Sequence, residues 1–258
     1  MSDATRIGIL GDFNSEFRSH PATADSIQHA AHKLGITVES EWIPTPSLAG
    51  AEAEKILESF DGLWAAPGSP YKSFDGMLKG IEFARRRDWP LLATCGGFQY
   101  AFLEFARNVH GIQDADTAEN NSGSKNIIIY PVACAVPHRK GDAPKLSGAI
   151  PEIRLRPGSY LQSFYGKGKE TATEEFFCNF EVNPEFEWCA MEAGFPVVAR
   201  GPQGETRAIE SPTHRFFLAT LFQPQLSSTD KKPHPVVLAF VQAAADWGRK
   251  KLDDSVLE

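Results

Sequence analysis

The stretch Leu91-Leu92-Ala93-Thr94-Cys95-Gly96-Gly97-Phe98-Gln99 holds the residue of this chain best suited to covalent chemistry, a thiol followed at once by two glycines. Pro90 opens a short apolar run that reads as a buried strand, and Gly96-Gly97 tolerates the backbone angles and close approaches of a sharp turn. Phe98, Ala101, Phe102, Phe105 and Ala106 then recur at helical spacing. A side chain on such a turn stands at the carboxyl end of a strand and the amino end of a helix. There the helix dipole and free backbone N–H groups favour a thiolate and stabilise an oxyanion, which makes Cys95 the expected nucleophile and Gly96 part of an oxyanion hole. The alternative is a small buried residue in the core, the commonest fate of a free cysteine.

The elements that would hold this turn alternate along the chain. Strands are expected at Arg6 to Asp12, Val38 to Ile43 and Asp61 to Ala66, and helices at Ala22 to Leu34, Leu48 to Phe60 and Phe74 to Arg87. Further strands are read at Asn126 to Val136, Ile153 to Leu155, Phe176 to Val182, Phe195 to Arg200, Arg207 to Glu210 and Phe216 to Phe222, with a polar loop over Pro137 to Gly148 and a last amphipathic helix over Pro235 to Trp247. The fold class is α/β, with a mostly parallel central sheet covered by helices on both faces. Ligands of such sheets sit beyond the carboxyl ends of the strands. Three loops therefore converge there: one with Arg18 and His20, one with Gly68, Ser69 and Tyr71, and the Cys95 turn.

Composition sets the bounds. The chain has 258 residues, 42% of them hydrophobic and 23% charged, and no repeat or linker, so one domain spanning residues 1–258 is expected. A net charge of −7 without a basic stripe argues against nucleic acid as a partner. Arg85-Arg86-Arg87 is read as a solvated cap at a helix end. The cysteines at 95, 134, 178 and 189 are widely spaced, with no Cys-x-x-Cys pair, so no metal and no cofactor is expected. With no signal-like or membrane-spanning apolar run, a reduced, cytoplasmic protein is expected, free of the membrane and with homo-oligomerisation left open.

In their order along the chain these motifs resemble the class I glutamine amidotransferases, of flavodoxin-like fold, and above all the glutaminase portion of the CTP synthases. That family's nucleophile motif is Gly-x-Cys-x-Gly-x-Gln; Cys95, Gly97 and Gln99 match it. The helix Ala101 to Val109, the segment Asp116-Thr117-Ala118-Glu119, the Pro67-Gly68 loop and Phe180-Glu181-Val182-Asn183 all have family counterparts. The resemblance implies that Gly68 contributes to an oxyanion hole and that Glu119 contacts the substrate.

Two departures fall on the chemistry. The family completes a Cys-His-Glu triad with Phe-His-Pro-Glu, whereas this chain has Phe222-Gln223-Pro224-Gln225. An amide accepts no proton from a thiol near neutral pH. The family also places a glutamine-binding arginine where this chain carries Phe177, within Glu175-Phe176-Phe177-Cys178-Asn179. Leaving a carboxylate without its buried partner costs about 2–5 kcal/mol, so free glutamine is expected to bind poorly.

The resulting expectation is a cysteine-dependent hydrolase or lyase acting on an amide, nitrile or related carbon–nitrogen group of a small nitrogen-containing metabolite. Glu119 is the leading surrogate base, with His20 and Glu175 as alternatives; Gln99, Arg18, Ser69, Tyr71 and Phe177 are the remaining substrate-binding candidates. The alternatives are a catalytically silent binding module and a glutaminase subunit feeding ammonia to a separate synthase chain.

Overall fold

The computed structural model describes residues 4–132 and 146–257. Its strands are β1 (Thr5–Leu10), β2 (Val38–Ile43), β3 (Gly62–Ala65), β4 (Leu91–Thr94), β5 (Ala115–Thr117), β6 (Asn126–Pro131), β7 (Leu146–Leu155), β8 (Thr171–Cys178), β9 (Phe180–Val182), β10 (Val197–Arg200), β11 (Thr206–Glu210) and β12 (Phe217–Thr220). The helices are α1 (Ser19–Leu34), α2 (Ala53–Glu58), α3 (Phe74–Arg87), α4 (Gly96–Glu104), α5 (Tyr160–Tyr165), α6 (Trp188–Glu192) and α7 (Pro235–Leu257).

The main sheet runs β2-β1-β3-β4-β12-β11-β10-β7-β8. From β2 to β12 every neighbouring pair is parallel. Beyond β12 every pair is antiparallel. The α/β class is as expected, and its parallel half is where β4 lies. β3, β4 and β12 are buried along their whole length, as strands covered on both faces must be. Helices α1 and α7 pack together, as do α3 and α4, and the two pairs cover the sheet. A smaller sheet, β5-β6-β9, lies alongside.

Local chemistry explains the boundaries that position the site. Ser73 caps α3 by accepting the Gly76 N–H at 3.0 Å, and Asp88 ends it at φ 51°. Gly35 stops α1 in the left-handed region at φ 68°. Several expectations are corrected. Helix α1 starts at Ser19, ahead of Ala22, which draws His20 into the helix. The span Leu48 to Phe60 is a 3-10 turn (Thr45–Leu48) followed by the short α2, with exposed Gly50 between them. Ile153 to Leu155 is only the end of β7, which pairs along its length with β8. Phe176 to Val182 divides between two sheets, because β8 and β9 have different partners. Arg85 is no solvated cap: its side chain is 19% exposed and is held by buried Glu104. Cys134, the end of the strand expected to Val136 and most of the expected loop to Gly148 lie outside the described residues.

Candidate active site

Cys95 occupies the corner between β4 and α4 with φ 51° and ψ −107°. A non-glycine residue in that region stores about 1–3 kcal/mol and persists only where its surroundings enforce it. Here its N–H donates to Thr220 O of β12 at 2.9 Å, and its carbonyl accepts the Gln99 N–H at 3.1 Å. Both glycines are demanded by close approach. A Cβ on Gly97 would stand 2.1 Å from Ala65 O, and one on Gly96 would stand 2.8 Å from the Tyr71 hydroxyl.

Cys95 lines a cavity of about 450 Å³ beyond the strand ends, a volume suited to a small ligand. Gly68 and Ser69 line one part, Glu119 and Gln99 another, and Arg18, Phe177 and Gln223 complete it among the expected residues. Glu119 accepts a hydrogen bond from Ser69; burial raises its carboxyl above the usual range, against the pull of that bond. Gln99 Nε2 donates to Phe180 O at 2.9 Å and so ties α4 to β9. Arg18 lies over the Phe177 ring at 5.5 Å and 3.9 Å from Glu175, at the exposed rim. A depression of similar volume, about 460 Å³, is lined by Glu54, Lys79, Glu82 and Arg86 and has no cysteine in its wall.

Other expected residues support the cavity without lining it. The Asn14 N–H donates to His20 Nδ1 at 2.9 Å, so Nε2 carries the proton and donates to Pro67 O at 2.9 Å. Both ring nitrogens are thus engaged, and burial holds the imidazole below its ordinary pKa. His20 is wedged against Trp42 and Phe17, and its ring leaves no room for a Cβ on Gly68, where φ is 119°. It therefore braces the Pro67-Gly68 loop. Tyr71 donates to Ala66 O, with burial pushing its phenol well up. Glu175 uses its carbonyl to accept the Gln223 N–H at 2.8 Å, which brings the end of β8 back to the end of β12.

The neighbour that sequence reasoning missed is Cys178, whose sulfur lies 3.0 Å from that of Cys95. The Cys178 thiol also donates to Leu221 O at 3.4 Å. This pairing reverses the expectation of a depressed thiol pKa. The hydrogen bond with Cys178, and then burial, push Cys95 well above the ordinary value of 9.0, outweighing the opposing Gly96 N–H. One signal for Cys178 was present: Ala172, Glu174, Phe176 and Cys178 alternate as the buried positions of β8. The return of β8 to β12 was not readable from that pattern.

Gln223 and Gln225 follow β12 in a 3-10 turn (Pro224–Leu226). Gln223 Nε2 donates to Phe177 O at 3.2 Å, and its Oε1 is buried without a partner. Neither amide atom of buried Gln225 has one. Buried amide groups almost always find partners, so this corner is unusually unsatisfied.

A thiol on a strained strand-to-helix corner, set at the strand ends of a half-parallel sheet, defines a protein class, and residues 20–243 match the family profile described as glutamine amidotransferase class-I. The chain belongs to that family. Among curated proteins it is 28% identical over 260 residues to a CTP synthase of Gloeothece citriformis, covering 99% of this chain and 45% of that protein. A CTP synthase of Aeropyrum pernix is 30% identical over 252 residues, covering 95% of this chain and 46% of that protein. The chain therefore spans about half the length of the curated relatives it matches. Among solved structures, the glutaminase domain of Trypanosoma brucei CTP synthase with bound acivicin superposes with a TM-score of 0.83 at 26% identity, covering 94% of each chain.

Proposed function

We propose that the chain is a cysteine-dependent enzyme that cleaves an amide, nitrile or related carbon–nitrogen group of a small nitrogen-containing metabolite other than free glutamine. The observation that carries this reading is Cys95 held at positive φ in the wall of a cavity it shares with Glu119. Strain of this kind concentrates at functional sites. In this reading Cys95 attacks the carbon of the substrate, and Gly68 and Gly96 N–H groups hold the charge that develops on its oxygen or nitrogen.

The thiol proton needs an acceptor, and the amide of Gln223 is unable to serve. Glu119 is the surrogate base: it lines the same cavity, and burial lifts its affinity for a proton, while its negative charge adds slightly to the rise in the Cys95 pKa. A carboxyl raised toward neutral pH is better matched to accepting and returning a proton. Phe177 gives the cavity an apolar wall, which favours a substrate lacking glutamine's α-carboxylate at that position.

Ammonia release from a panel of small amides and nitriles tests the proposal. Turnover is expected to fall at least about a thousandfold in Cys95→Ala and about ten- to a hundredfold in Glu119→Gln. Free glutamine is expected to give no ammonia above background. Turnover that survives Cys95→Ala would overturn the mechanism, and efficient glutamine hydrolysis would restore the glutaminase reading. A second reading, a silent binding module, draws on the raised Cys95 pKa and the unpartnered amides of Gln223 and Gln225. Ligand binding unchanged by Cys95→Ala, with no turnover on the panel, would select it.

A further inference from the structure

We propose that Cys95 and Cys178 form a two-thiol redox centre, in which a hydroperoxide entering the cavity oxidises Cys95 and Cys178 resolves the product to an intramolecular disulfide. The two sulfurs are 3.0 Å apart although 83 positions separate them in sequence, so bonding requires closing only roughly 1 Å. Each is anchored to successive residues at the end of β12. The Cys95 N–H holds Thr220 O at 2.9 Å, and the Cys178 thiol points at Leu221 O at 3.4 Å. With its proton directed at that carbonyl, Cys178 presents sulfur lone pairs to Cys95. Both sulfurs belong to residues lining the cavity of about 450 Å³, ample for a small uncharged oxidant. Cys189, by contrast, is buried in α6 and does not line this cavity.

The chemistry balances with one hydroperoxide. The Cys95 thiolate attacks the outer oxygen, forming an S–O bond as the O–O bond breaks; the departing alkoxide or hydroxide takes a proton and leaves as alcohol or water. The Cys178 sulfur then attacks the sulfenic sulfur of Cys95, forming the S–S bond and expelling hydroxide, which leaves as water with the Cys178 proton. The two thiols supply two electrons, and the hydroperoxide is reduced by two. The thiolate is the minor form of Cys95, because the Cys178 hydrogen bond and burial raise its pKa, so the oxidation is expected to quicken as pH rises; the Cys95 proton is the one the departing oxygen takes up. The product ties up the sulfur that the proposed carbon–nitrogen chemistry uses. That consequence rests on the functional reading above; the redox chemistry does not.

The test treats the reduced full chain with one equivalent of hydrogen peroxide. The wild type is expected to lose two titratable thiols and two hydrogens of mass, and to yield a Cys95–Cys178 cross-linked peptide that dithiothreitol separates. Cys178→Ser is expected to accumulate a dimedone-reactive sulfenic acid at Cys95 at least about tenfold above wild type, and Cys189→Ser to cross-link as the wild type does. Should Cys178→Ser fail to fold, Cys178→Ala carries the same expectation. Dimedone labelling of wild-type Cys95 equal to that of the variant, a cross-link to another cysteine, or no cross-link with either peroxide or diamide would overturn the proposal. The two readings fail separately: a cross-link without amide turnover refutes only the hydrolase, and turnover without a cross-link refutes only the redox centre.

Discussion

The two ends of helix α4 solve opposite problems within nine residues. At its carboxyl end Glu104 is fully buried, yet Arg85 meets it with a two-pronged contact, Nε at 2.8 Å and Nη2 at 2.6 Å, and Asn108 adds a bond at 3.3 Å. Arg85 is fixed in turn, because its carbonyl bonds the ring Nε2 of His214 at 2.8 Å. At the amino end Cys95 sits at positive φ against a second thiol, and nearby Gln223 and Gln225 leave buried amide atoms unpartnered. The buried carboxylate at the carboxyl end is fully paired, whereas Gln223 Oε1, from a residue in the cavity wall at the amino end, is not. That contrast separates an end that only holds the helix in place from one that borders the cavity.

Breaking the satisfied end should cost most. Glu104→Ala leaves a largely buried guanidinium unpaired, and a loss of about 3–5 kcal/mol is expected from urea unfolding. The Arg85→Met and Glu104→Leu double variant should recover much of that loss, since replacing both members removes the stranded charge. A Glu104→Ala loss below about 1 kcal/mol would dissolve the contrast. Next comes Gly97→Ala, which drives a methyl to within 2.1 Å of Ala65 O, a backbone atom at the end of β3. Overpacking of this kind is expected to cost about 1–3 kcal/mol. Because the first turn of α4 must shift to relieve it, iodoacetamide labelling of Cys95 should change as well, whereas Glu104→Ala studied well below its unfolding midpoint should leave that labelling unaltered.

The same contrast separates what was legible in the sequence from what was not. The Cys95 corner was readable because its signals are local: an apolar strand, a glycine pair and helical spacing within a dozen residues. The α3 boundaries, Phe74–Arg87, were readable for the same reason, with Ser73 at one end and Asp88 at the other. Arg85 was misread because its partner lies on another helix, and local charge patterning alone makes three arginines look solvated. The helix expected over Leu48 to Phe60 broke because Ala49, Gly50 and Ala51 are all exposed, so no packing reward carries the chain through Gly50. Cys178 was missed for the most distant cause. Its partner is set by β8 returning to the end of β12, a tertiary contact that no spacing encodes.

The smallest expected effect probes the strained end directly. Cys95→Gly removes the Cβ that makes φ 51° and ψ −107° unfavourable, and so releases strain of about 1–3 kcal/mol. Against that stand the greater chain entropy of glycine in the unfolded state, about 0.5–1 kcal/mol, and the packing lost with the side chain of a residue that is 9% exposed. The balance favours a gain of about 1 kcal/mol in unfolding free energy. Cys95→Ala is the necessary companion. It loses the same sulfur but keeps the Cβ, so it should be less stable than Cys95→Gly by about 1 kcal/mol, the reverse of the order expected in an ordinary helix or strand. If the alanine variant proves the more stable of the two, the corner is not strained. The amino end of α4 would then differ from its carboxyl end in polar satisfaction alone.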